Sequence, residues 1–177
     1  MAVITAVQAG GAELVAFLDL IAWSEGTSLC AQTKCDGYDV IVTGADGRRE
    51  IFADFSSHPF MNRSPKLIRA ANPAIPGSKP LYSDAAGRYQ FMRRSWVQLA
   101  LQLKLGDFSP LSQDRAALEL VRERGAIKLL GEGRVQEAIA ACSNIWASMP
   151  GNNYAQPGGK KMVDLMGKYS QLRGSVA

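Results

Sequence analysis

From residue 11 the chain carries an apolar run in which Leu14, Leu18 and Ile21 recur at helical spacing, with Phe17 bordering them. The pattern predicts an amphipathic helix over residues 11–25. At about 100° per residue, Glu25 falls on the same face as that stripe. Gly26 follows at once, the residue type best able to take the left-handed conformation that ends a helix. A carboxylate thus closes a core-facing stripe where the chain leaves its helix. Partial burial there would disfavour the charged form, and a carboxylic acid kept protonated near neutral pH can donate to a leaving oxygen. The bland alternative is a last-turn glutamate that points to solvent or pairs with an arginine. It is the commoner fate of such a residue, so the case for Glu25 depends on what lies downstream.

The periodicity then changes. Residues 38–43 and 51–55 are β-branched and aromatic, separated by Gly44-Ala45-Asp46-Gly47, which predicts a β-hairpin with Asp-Gly in its turn. Residues 56–86 are the least regular. Ser64-Pro65 reads as an N-cap and first-turn proline, opening a short helix through Arg69. Pro73, Pro76, Gly77 and Pro80 mark a loop, either a lip over a binding site or a plain surface connection. Tyr89, Met92, Trp96, Leu99 and Leu103 form a stripe that predicts a helix over residues 87–103. Ser109-Pro110 opens another, running to about Arg124 with Gly125 after it. Two more are expected over residues 135–141 and 160–172, with an irregular loop at Pro150-Gly151-Asn152-Asn153-Tyr154. The expectation is an α+β fold in one domain, residues 1–177. A small β-hairpin lobe would lie beside a larger helical lobe, with Glu25 at a cleft between them.

Composition narrows the picture only a little. Twenty basic and sixteen acidic residues give a net charge of +4. The basic residues are scattered, so nucleic acid is not an expected partner. Cys30, Cys35 and Cys142 do not make a disulfide framework, and reduced thiols are expected. Cys30 and Cys35 could bridge a small loop in an oxidising compartment. One histidine and no paired ligand spacing argue against zinc, and no cofactor is expected. His58, before Pro59, reads as a turn residue. The apolar run over residues 3–23 is interrupted by Gln8, Glu13 and Asp19, which argues against a membrane span. No lysine or arginine precedes Lys34, so no basic-start secretory signal is expected. A cytoplasmic monomer is the expectation, since no leftover apolar helix face stands out.

Several blocks, in order, resemble the lambda-type phage endolysins. They are Ala22-Trp23-Ser24-Glu25-Gly26-Thr27, Gly37-Tyr38-Asp39-Val40-Ile41-Val42 and Gly87-Arg88-Tyr89-Gln90. Asp107-Phe108-Ser109-Pro110, Glu123-Arg124-Gly125-Ala126 and Cys142-Ser143-Asn144-Ile145-Trp146-Ala147-Ser148 continue the series, followed by Pro150-Gly151 and Tyr154. The resemblance covers nearly the whole chain. It implies a lysozyme-like fold and a soluble lytic transglycosylase acting on peptidoglycan glycan strands. Such an enzyme cleaves the β-1,4 bond between N-acetylmuramic acid and N-acetylglucosamine and leaves 1,6-anhydromuramic ends. The family's catalytic glutamate maps onto Glu25. The resemblance also implies confinement to the host cytoplasm until a separate holin-type pore admits the enzyme to the cell wall. Cys30 and Cys35 match nothing in the family pattern, and the segments at residues 46–49 and 73–86 are longer than it.

A hydrolysing muramidase would need a second carboxylate about 5–9.5 Å from the first. Asp36, Asp39 and Asp54 are the candidates near the hairpin, with Asp39 and Asp54 the ones to weigh; Asp39 could equally hold a turn. For substrate contacts the expected residues are Tyr38, Asp39, Tyr89, Gln90, Ser143, Asn144 and Tyr154. Ser143 and Asn144 could instead form only a helix cap. A third reading keeps the fold as a glycan-binding module without turnover. Only the two enzyme readings need Glu25 to carry a proton.

Overall fold

The computed structural model describes residues 1–150 and 160–175. In chain order its elements are α1 (Ala6–Ala9), α2 (Ala12–Ser24), β1 (Val40–Ile41), β2 (Glu50–Ile51), β3 (Lys66–Arg69) and β4 (Leu81–Ser83). They continue with α3 (Arg93–Leu103), α4 (Pro110–Glu123), α5 (Ala126–Gly131), α6 (Val135–Cys142) and α7 (Met162–Ser175). The described residues are α+β, as the hydrophobic pattern predicts. They fall into two compact units, one of Met1–Gly26 with Gln113–Ala177 and one of Thr27–Ser112.

The first unit is helical and is built on α2. The sequence predicts one apolar face for this helix, but every residue from Leu14 to Ala22 is buried. Only Glu13 and Asp19 break the apolar run, and a helix apolar all round belongs in a core. Asp19 is tolerated because its Oδ1 accepts the Ala2 N–H at 2.6 Å. Asp114, fully buried on α4, accepts the Val3 and Ile4 N–H groups, both at 2.8 Å. Two buried carboxylates thus fasten the chain before α1. The Tyr169 hydroxyl on α7 donates to the Glu13 carbonyl at 3.2 Å, and its ring meets Phe17 edge-on at 6.4 Å.

Two short helices fall outside the sequence expectation. At α1, Thr5 and Gln8 form a reciprocal capping box, a signature legible as Thr-x-x-Gln. At α5, Gly125 takes φ 70° and restarts the helix after α4; six residues are too few to show a period.

The second unit holds both hairpins. β1 pairs antiparallel with β2, Val40 opposite Ile51 and Ile41 opposite Glu50. These strands are shorter than residues 38–43 and 51–55, because Asp46-Gly47 does not make a two-residue turn. It lies within a wider loop in which the Gly47 N–H donates to Gly44 O at 2.9 Å. The Ala45 N–H donates to Leu67 O at 2.7 Å.

The predicted helix after Ser64-Pro65 is instead strand β3, paired with β4 across a bulge between Leu67 and Arg69. Along Lys66–Arg69 burial alternates between half-buried and exposed. That is the period of a strand, and proline is acceptable at a strand's start.

The helix expected over residues 87–103 begins only at Arg93. Gly87 at φ 80° and Gln90 at φ 49° are both left-handed, a conformation no α-helix continues through. They form a tight turn closed by the Ala86–Phe91 bridge, and Ala86 also bridges to Ile41 on β1. An aromatic cluster fills the core of this unit: Trp96 meets Phe108 edge-on at 4.5 Å, and His58 lies 4.8 Å from the same ring.

Candidate functional site

Glu25 caps α2. Its N–H still donates to Ile21 O at 2.9 Å, and Gly26 then turns left-handed at φ 75°. Its side chain is half-buried. The partner that meets it comes from 123 residues away: Ser148 Oγ donates to Glu25 Oε1 at 2.5 Å. Ser24, the last residue of α2 and buried, donates from its own Oγ to Ser148 Oγ at 2.8 Å.

Ser148 is held in place by what flanks it. After α6 the chain runs through consecutive turns. The Trp146 N–H donates to Cys142 O at 3.2 Å, and the Met149 N–H donates to Trp146 O at 2.9 Å. Trp146 and Met149 are both buried, so the serine between them has little freedom.

Burial pushes the Glu25 carboxyl above the usual carboxylate range, and hydrogen bonds from the Ser148 side chain and backbone work against that rise. Burial is the larger effect. Desolvation penalises the ionised form more than the Ser148 hydrogen bonds favour it. Sequence reasoning selected Glu25 but not Ser148. No periodicity marks that serine; only its membership of the Cys142–Ser148 block set it apart.

The other expected site residues divide sharply. Tyr38 and Tyr89 are each 1% exposed. Their rings meet edge-on at 6.3 Å, and the Arg88 guanidinium lies 5.0 Å from the centre of the Tyr38 ring. Neither ring offers a face to a sugar, so the expectation that they stack on substrate is corrected: both are core. Asp39 is likewise 2% exposed. It accepts hydrogen bonds from Thr33 Oγ1 and, at 2.8 Å, from the Lys34 N–H. Its carboxylate holds the loop before β1. Asp54 is exposed and accepts the Ser56 N–H at 2.8 Å; the Ser56 hydrogen bonds hold its carboxyl below the usual range.

Ser143 is buried, and its Oγ donates to Ala140 O at 2.7 Å. That is the cap reading, with the hydroxyl spent on the end of α6. Asn144 beside it is exposed. Gln90 is half-buried, and its Nε2 donates to Gly87 O at 3.0 Å. Tyr154 lies outside the described residues. His58 is the turn residue expected. Its Nδ1 accepts the Phe60 N–H at 3.3 Å, so Nε2 carries the proton that reaches Phe91 O at 2.9 Å.

Within the Gly87-Arg88-Tyr89-Gln90 block, Arg88 and Tyr89 serve architecture. Buried Arg88 pairs with Asp36 Oδ2 at 2.9 Å, and Thr27 Oγ1 donates to Arg88 O at 2.6 Å. Gly37 lets this knot close: at φ 90°, a Cβ there would lie 2.8 Å from the Thr27 backbone carbon.

One aromatic residue of the Ala22–Thr27 block was given no role from the sequence. Trp23, half-buried on the last turn of α2, has the Lys160 ammonium 4.5 Å above its ring. It borders a groove of about 530 Å³ along α7.

Comparison with known proteins gives a consistent result. The endolysin family model matches residues 15–176. The endolysin of Escherichia phage P2 is 50% identical over 143 residues, covering 81% of this chain and 82% of that protein. The endolysin of Escherichia phage lambda is 45% identical over 162 residues, or 91% of each. A solved structure of bacteriophage lambda lysozyme complexed with a chitohexasaccharide superposes with a TM-score of 0.73 at 42% identity. That match covers 92% of this chain and 94% of the lambda protein.

Proposed function

The chain belongs to the endolysin family, and from that premise we propose that it is a lytic transglycosylase of peptidoglycan, with Glu25 as both its acid and its base. The lysozyme-like α+β fold is shared with the lambda enzyme. The observation that carries the reading is the Glu25 carboxyl, raised by burial and met by a hydroxyl donor at 2.5 Å.

The chemistry needs one such group. Glu25 gives its proton to the glycosidic oxygen as the bond from muramic C1 to that oxygen breaks. The carboxylate left behind then takes the proton of the same sugar's C6 hydroxyl, whose oxygen closes on C1. One bond breaks, one forms, Glu25 ends protonated and no water is consumed.

A hydrolase would need a second carboxylate free to act. Asp39 is buried under its own loop, and Asp54 holds a turn, which supports the single-acid reading over hydrolysis. Gln90 and exposed Asn144 are the remaining candidates from the sequence for contacts to acetamido groups; Tyr154 stays with them on resemblance alone. The chain acts as one catalytic domain and as a monomer. It waits in the host cytoplasm for a separate pore-former. No helix among the described residues is long and apolar enough to cross a membrane.

The test is mass analysis of the soluble fragments released from purified peptidoglycan. Muropeptides with anhydromuramic ends, one water lighter than hydrolysed ones, are expected. Reducing muramic ends would overturn the transglycosylase reading, and no fragments at all would favour a binding module. Glu25→Gln should lower turnover by about 10²–10⁴-fold, the usual contribution of general acid–base catalysis, while glycan binding and circular dichroism stay unchanged.

A further inference from the structure

We propose that Ser24 and Ser148 form a directional relay that positions Glu25 and stabilises its carboxylate between the two proton transfers, with Ser148 as the positioning residue. The inference rests on the reading of Glu25 as acid and base.

It starts from hydroxyl bookkeeping. A serine has one hydrogen to donate and lone pairs to accept with. Ser24 donates into Ser148 Oγ at 2.8 Å, which occupies a lone pair there and leaves the single Ser148 hydrogen to point at Glu25 Oε1, 2.5 Å away. The relay therefore has a polarity, from Ser24 through Ser148 to Glu25. Both ends are anchored: Ser24 is buried on α2, and Ser148 lies between buried Trp146 and Met149.

A one-carboxylate mechanism makes a particular demand. After the first proton transfer, Glu25 stands ionised in a site whose burial opposes ionisation. Burial raises its proton affinity, and hydrogen bonds from the Ser148 side chain and backbone work against that rise. A hydroxyl aimed at the carboxylate is the group that bears the new charge, and a hydrogen bond to a charged group is worth more than one to a neutral group. When Glu25 recovers its proton, the same hydroxyl still fixes the orientation of the carboxyl. The group that meets Glu25 in this site is thus a neutral donor in direct hydrogen-bond contact.

The experiment compares wild type with Ser148→Ala, Ser148→Thr, Ser24→Ala and Glu25→Gln, reading kcat, KM and the pH profile on soluble peptidoglycan. Ser148→Ala should lower kcat about 10- to 100-fold with KM within about twofold, the pattern of an interaction made on the reaction path rather than in ground-state binding. Its alkaline limb should move to higher pH, because a bond favouring the ionised form has gone. Ser148→Thr keeps the hydroxyl and should recover most of kcat. Ser24→Ala removes only the orienting bond and should show a smaller loss in the same direction. Wild-type kcat and an unmoved alkaline limb in Ser148→Ala would overturn the relay, as would a Ser148→Thr as poor as the alanine variant. Glu25→Gln separates the two ideas. If it keeps turnover, the acid–base reading itself fails; if it is inactive while Ser148→Ala is unaffected, the relay alone fails.

Discussion

Two residues with opposite roles show how burial sets chemistry in this protein. Glu25 has its folded-state proton affinity raised by burial. For an acid shifted upward, stability is fullest below its unfolded pKa of about 4.3 and is lost as pH rises through the folded value. Glu25→Gln cannot ionise, so it should melt a few degrees above wild type at pH 8, and the gap should close near pH 4. Calorimetric melts of both proteins across that range would check it. Arg88 is the converse, a buried charge kept for architecture. Its guanidinium holds Asp36 and lies over Tyr38. Arg88→Ala should cost about 3 kcal/mol, the lower end for breaking a buried ion pair, because Asp36 is partly exposed. Denaturant titration gives the number directly.

Among elements, α2 bears most of the weight of its unit. Phe17 is fully buried and meets Tyr169, so Phe17→Ala should cost about 3–5 kcal/mol, measured as a drop in the urea midpoint without a change in slope. How far each element could be read from the sequence follows from its length and partners. The long helices α2, α4 and α7 were legible to within a few residues, α2 from its apolar stripe and α4 from Ser109-Pro110 at its start. The first hairpin was legible as well, with shorter strands than the pattern suggested, but the second was not: β3 has four residues and its partner β4 lies beyond a proline-rich connection, so pairing decides its state more than propensity does. Tyr89 misled for a different reason. Its side chain is core, as its place in the stripe implied, but it reaches the core from a turn set by two left-handed residues. Glu25 was legible because a helix end is a local event. Ser148 was not, because a contact across 123 residues leaves no mark in local spacing.

At the scale of the whole molecule, His58 makes part of the stability sensitive to mild acid. His58 is buried with Nε2 donating to Phe91 O, and burial lowers its proton affinity. For a histidine shifted downward, the stability from keeping it neutral is present above the unfolded pKa of about 6.5 and is lost as pH falls toward the folded value. Wild type should therefore lose unfolding free energy between pH 7.5 and pH 5 more steeply than His58→Gln, measured by urea titration at each pH. The helical unit has a further property: its first 26 residues belong with a segment that begins only at Gln113. The N–H groups of Val3 and Ile4 wait for Asp114, and Glu25 waits for Ser148. On a ribosome, Val3, Ile4 and Glu25 emerge well before Asp114 and Ser148, so these contacts wait until the later segment has been made. The Glu25–Ser148 contact cannot form on a nascent chain before Ser148 emerges, so, on the function proposed above, a cell making this protein would meet no active fragment shorter than that.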